Sequence, residues 1–182
     1  MSNQFLNWSW RIALIIGLVL FGPLHALAQE VPLFPEGKDG AIALLEYVLK
    51  ADEATREQLT IAMEPTREDC DSLIKDKRLA RKVFQYQKYL ARHADIILKP
   101  LLPEQTEWIL WQANAASLIA YEGDARQFPG GYRELAEWLK PDVSVYRFKF
   151  IEPGRKMGTS YDLLVFINGH WRLIHRPWIV LF

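Results

Sequence analysis

Cysteine is almost absent. Cys70 stands alone in 182 residues, so no internal disulfide can staple the chain. Its setting, Glu68-Asp69-Cys70-Asp71, raises a thiol pKa and argues against a nucleophile. Histidine is scarce as well. Beyond His25 there are His93, His170 and His175, in neither HxH nor HExxH spacing, so no metal site and no cofactor is expected. Net charge is lacking too: 22 Lys and Arg balance 22 Asp and Glu, which argues against general nucleic-acid binding. There is no G-x-S-x-G elbow, no phosphate-loop pattern, no repeat and no low-complexity tract. The apolar run Ile12–Gly22 falls short of the ~20 residues that span a bilayer.

That run does fit an export signal. Arg11 precedes it, Pro23 breaks it, and Ala26-Leu27-Ala28 offers the small residues a signal peptidase reads. Residues 1–28 are therefore expected to be a signal peptide, followed by one domain over 29–182 that is periplasmic or secreted. Membrane contact is expected only if that segment is retained. Half of the residues are hydrophobic, as in a globular protein with a real core.

The first half has helical spacing. Ile42, Leu45, Val48 and Leu49 share a stripe over 39–51, and a second helix is expected over 54–63. Thr66 and Asp69 have capping-box spacing. Leu79, Val83, Tyr86, Leu90 and Ile97 predict a long amphipathic helix over Lys77–Leu98, stopped by Pro100. The second half changes period. A strand is expected over 106–113, a short helix over 114–121 and another from Tyr132 to Pro141. Val143–Ile151 alternates, with Tyr146, Phe148 and Phe150 on one face and Arg147 and Lys149 on the other. The closing Ile179-Val180-Leu181-Phe182 reads as a docked last strand.

Asn168-Gly169 marks a two-residue hairpin turn, because both positions need positive φ. The register that follows sets Ile167 opposite His170, Phe166 opposite Trp171, Leu164 opposite Leu173 and Asp162 opposite His175. Asp162, Leu164 and Phe166 would share a core face, leaving Tyr161, Val165 and Arg172 half-solvated. The expected class is α+β, with N-terminal helices on one face of a curved antiparallel sheet and a three-strand C-terminal meander.

Three functional readings follow. One is a non-catalytic domain binding a small ligand or an envelope partner, with Trp108, Trp111 and Tyr146 as pocket liners; the same aromatics also suit a core. Another is a lyase, isomerase or hydrolase in which Asp162 orients His175 as general base. The pair serves equally as a polar stitch at the end of a core, and no third member is evident. The last is an interaction protein using the basic face of Arg78, Arg81, Lys82, Lys88 and Arg92. Against it, Glu30–Asp71 holds eleven acids and four bases, enough to neutralise that helix internally. Oligomeric state is left open.

At Phe128-Pro129-Gly130-Gly131-Tyr132, Glu152-Pro153-Gly154 and Tyr161–Trp178, the chain resembles a group of exported bacterial domains of uncharacterised function. Their layout is similar to the NTF2-like and cystatin-like folds, in which helices cradle a sheet and leave a pocket. The resemblance implies no activity. The group tends to carry Pro where this chain has His175 and Lys where it has Arg176, so it implies no dyad either.

Overall fold

The structure, a computed structural model, describes residues 32–94 and 96–182. The expected signal segment, 1–28, lies outside them. Four helices come first: α1 Lys38–Lys50, α2 Glu53–Ala62, α3 Arg67–Leu73 and α4 Lys77–His93. α1 buries Ala41, Leu44, Leu45 and Val48, the i, i+3, i+4, i+7 stripe of an amphipathic helix. Its last carbonyls are answered by Arg56, which donates from Nε to Val48 O (2.9 Å) and from Nη2 to Leu49 O (3.2 Å). Asp52 and Asp76 cap α2 and α4, accepting the N–H groups of Thr55 and Leu79. The Thr66–Asp69 capping box opens α3: Thr66 Oγ1 accepts Asp69 N–H at 3.1 Å, and Asp69 Oδ2 accepts Thr66 N–H at 2.9 Å.

The second half supplies β1 Glu107–Ala113, α5 Ala115–Ala120, a 3-10 helix Gly123–Gln127, α6 Gly131–Ala136, β2 Val145–Ile151, β3 Gly158–Ile167 and β4 His170–Leu173. A second 3-10 helix, Pro177–Leu181, stands where a last strand was expected. The strands form one antiparallel sheet in the order β1-β2-β3-β4. The fold is α+β, and the meander has four strands because the 106–113 segment joins its edge.

Both faces of this sheet are covered, not one. Leu110, Tyr146, Phe148, Phe150, Leu164, Trp171 and Leu173 pack with α1, Leu59 of α2 and Leu98. Ala113, Val145, Leu163, Val165 and Ile167 pack with residues of α3 to α6. The reason lies in the strands themselves. Leu163, Leu164 and Val165 are consecutive and fully buried, as are Val145 and Tyr146, whereas a sheet with one wet face alternates.

Two helices end early. α4 stops at His93 rather than Leu98, because the following chain is claimed elsewhere. Leu98 N–H donates to Thr60 Oγ1 at 2.9 Å, and Lys99 N–H donates to the Tyr161 hydroxyl at 3.1 Å. α6 stops at Ala136 because Ile74 and Leu139 form a bridge; Lys75 N–H donates to Trp138 O and Lys140 N–H to Leu73 O. No helix among the described residues is long and apolar enough to cross a membrane.

Candidate functional site

The Asn168-Gly169 turn forms with φ of 51° and 80°, and pairs Ile167 with His170, Phe166 with Trp171 and Leu164 with Leu173. The register breaks beyond that point. Tyr146 faces Leu164 while Arg147 faces Asp162, so Leu163 is an extra residue on β3, at φ 55°. This bulge turns Asp162 away from the Leu164 face. The expected Asp162–His175 dyad is therefore not formed. Asp162 instead accepts Arg147 Nε at 2.8 Å, and Arg147 also donates to Gln127 O.

His175 lies elsewhere. β4 ends at Leu173, whose N–H donates to Met63 O (3.1 Å), and Ile174 N–H donates to Leu163 O (2.9 Å). Gln87 of α4, buried within the apolar stripe, then grips the His175 backbone: Nε2 donates to His175 O at 2.8 Å, and Oε1 accepts His175 N–H at 2.9 Å. The amide thus satisfies two backbone groups that leave the sheet with no ladder partner. The imidazole has no hydrogen-bond partner among the described residues. Burial, and secondarily the charge of Arg176, push its pKa down to about 4, so it is neutral at pH 7. A catalytic base is tuned the other way, toward the working pH.

His175 belongs to a groove of about 260 Å³ between α2 and α4. α2 contributes Glu57, Thr60 and Ile61 from one helical stripe, and Glu64 and Pro65 follow it. α4 contributes Gln87, Lys88, Leu90 and Ala91, and Ala94, Ile96, Ile97 and Leu173 complete the lining with His175. The 96–99 wall is held on both sides. Thr60 anchors Leu98, and the Tyr161 hydroxyl sits 2.9 Å and 2.8 Å from the carbonyls of Ile97 and Lys99. The groove is thus an apolar trough with carboxylates at one rim and a neutral imidazole in its lining.

Trp108, Trp111 and Tyr146 do not come together. Trp108 and Trp111, three apart on β1, fall on opposite faces of the sheet. Trp108 borders an open cleft of about 810 Å³ with Arg56, Lys99 and Gln105. Trp111 has Arg147 5.6 Å and Lys149 5.5 Å from its ring centre, so its own sheet supplies the cations it stacks with. Tyr146 is buried edge-on to Trp171 at 5.5 Å. Gly131 is a packing feature, since a Cβ there would stand 2.3 Å from Trp178 Cδ1, whereas one on Gly130 would meet nothing within 4 Å. Cys70 is fully buried, and burial together with Asp69 and Asp71 pushes its thiol up to about 12.

Arg78, Arg81, Lys82, Lys88 and Arg92 are all exposed on α4, and none forms an ion pair among the described residues. Three of the acids expected to neutralise them are engaged elsewhere: Asp69 with Arg172, Asp71 with Arg67, Glu53 with Lys99. Sequence reasoning missed Gln87 and the α2 stripe. The available signals were an amide on the core face of α4 and an apolar Ile61 on a polar helix.

No family model, characterised protein or solved structure matches this chain. The chemistry of the groove therefore has to carry the functional reading.

Proposed function

We propose that this chain is an exported cell-envelope domain, periplasmic or secreted, that acts by binding and not by catalysis. Its site is the α2–α4 groove, and its ligand is a small, mainly apolar molecule. Export rests on the order Arg11, Ile12–Gly22, Ala26-Leu27-Ala28. The observation that carries the binding reading is the unpartnered, neutral His175 in a mainly apolar trough. A neutral polar group in a mainly apolar lining orients a ligand without asking it to shed a charge. The same group is a weak base, and the Asp162 carboxylate that would have strengthened it is engaged by Arg147.

The test is titration with the apolar fluorophore N-phenyl-1-naphthylamine, alongside Ala91→Trp. Ala91 is exposed on the groove wall, so a Trp there fills the trough without disturbing the core. The native protein should bind the dye saturably, and the variant should lose about tenfold or more in affinity. Equal binding by both proteins would rule the groove out.

A further inference from the structure

We propose that the exposed face of α4 docks on an anionic phospholipid surface. The helix KRLARKVFQYQKYLARH has six Lys or Arg and no acid. Its first turn carries Lys77 and Arg78 at the positive end of the helix dipole, where acids are favoured. Lys77/Arg81, Arg78/Lys82 and Lys88/Arg92 are like-charge pairs at i, i+4, an arrangement that works against the helix. Asp76, the N-cap, has its carboxylate engaged by Leu79 N–H. By contrast Arg56, Arg67, Lys75, Arg147 and Arg172, on other elements, have acceptors within the fold. A local cost with no internal compensation marks a surface kept for something outside the fold.

The shape of the face selects the occupant. From Arg78 to Arg92 the cations run along about 21 Å of helix at 1.5 Å per residue. Apart from Lys88, which borders the α2–α4 groove, the cations stand on one convex helix face with no strand edge to receive a peptide. A plane of headgroup phosphates conforms to it. Amphipathic and apolar groups accompany the charges. Tyr89 is 57% exposed and stacks on His93 at 4.4 Å. The 3-10 helix Pro177–Leu181 packs against α4 and exposes Ile179, followed by Phe182 at 87% exposure. Cations on the same helix as an exposed aromatic such as Tyr89 are what an anionic interface takes up.

The experiment is co-sedimentation of the full chain with phosphatidylcholine vesicles and with vesicles containing about 30% phosphatidylglycerol. Any attachment through Ile12–Gly22 is common to both, so the difference between them reports α4. At low salt the anionic vesicles should be preferred by about tenfold or more, and the preference should shrink toward 0.5 M NaCl. R81E/K82E should abolish it while keeping the native circular dichroism. R78Q/R92Q, which only removes charge, should weaken it if the reversal variant does not fold. Equal binding to both vesicles, or a preference that survives in the folded variants, would overturn the proposal. So would capture by poly-L-glutamate with no binding to anionic vesicles.

Discussion

Arg172 Nε lies 2.7 Å from the buried carboxylate of Asp69, joining β4 to the first turn of α3. Asp69 Oδ1 accepts Asn168 Nδ2 at 2.8 Å, and Arg172 Nη1 donates to Ala62 O at 2.6 Å. One carboxylate thus caps a helix, holds a hairpin turn and pairs with a strand. Burial alone would raise its pKa, but hydrogen bonds from Thr66 N–H, Asn168 and the Thr66 hydroxyl, with the charge of Arg172, bring it below the usual 3.8.

Asp69→Asn should therefore cost about 3–5 kcal/mol, since it strands a largely buried Arg172. Urea unfolding at pH 7 measures this. The native carboxyl has a depressed pKa, so its contribution is complete above the unfolded value and is lost as pH falls through the folded one. The variant's stability should be the flatter of the two below pH 4; parallel curves would contradict the assignment.

His175 acts in a different window. Its folded pKa of about 4 lies below the ordinary 6.5, so between those values the unfolded chain binds more protons and stability falls as pH falls. The shift is worth at most about 3 kcal/mol. Replacing His175 by Gln should flatten the stability profile between pH 6.5 and 4 and leave the profile below pH 4 unchanged. Urea midpoints at pH 7 and 5 decide the matter.

Asp162→Asn should not move the His175 titration. If the two were coupled, removing the carboxylate would lower the imidazole pKa by about one unit or more. Proton NMR of the His175 ring in both proteins should give the same midpoint. The variant should instead loosen Arg147 and change Trp111 fluorescence, since Arg147 links the two.

Gly131→Ala should destabilise by about 1–3 kcal/mol, because the added methyl meets the Trp178 ring. Trp178→Leu in the same background should recover part of the loss, read as a thermal midpoint. Full additivity of the two changes would mean the clash is absent.

Much of this fold is legible in local sequence. Thr66 with Asp69 gives the cap, Asn168-Gly169 gives the turn, and the Val145–Ile151 alternation assigns Tyr146, Phe148 and Phe150 to one face. The bulge is not legible, because nothing in Tyr161-Asp162-Leu163-Leu164 favours positive φ. Leu163 takes it because its side chain fills the core beneath α3 to α6 while Leu164 fills the other. That choice is tertiary, and it relocates Asp162. The end of α4 is likewise set from afar, by Thr60 and Tyr161. Gln87 reads as a polar intrusion until the departing strand it grips is in place.

The clamps also bear on how the chain reaches its shape. Gln87 meets His175 across 88 positions, Asp69 meets Asn168 across 99 and Arg172 across 103. The Gln87 amide, and the Asp69 carboxylate beyond its local bond to Thr66 N–H, find these partners only once the last hairpin has been synthesised. Until then the leading helices have only the β1–β2 pair to cover, and a ribosome must deliver most of the chain before these clamps lock. Links of such sequence separation favour slow, late assembly of this part of the fold. A chain truncated before Tyr161 should remain protease-sensitive throughout, including the helices it still contains.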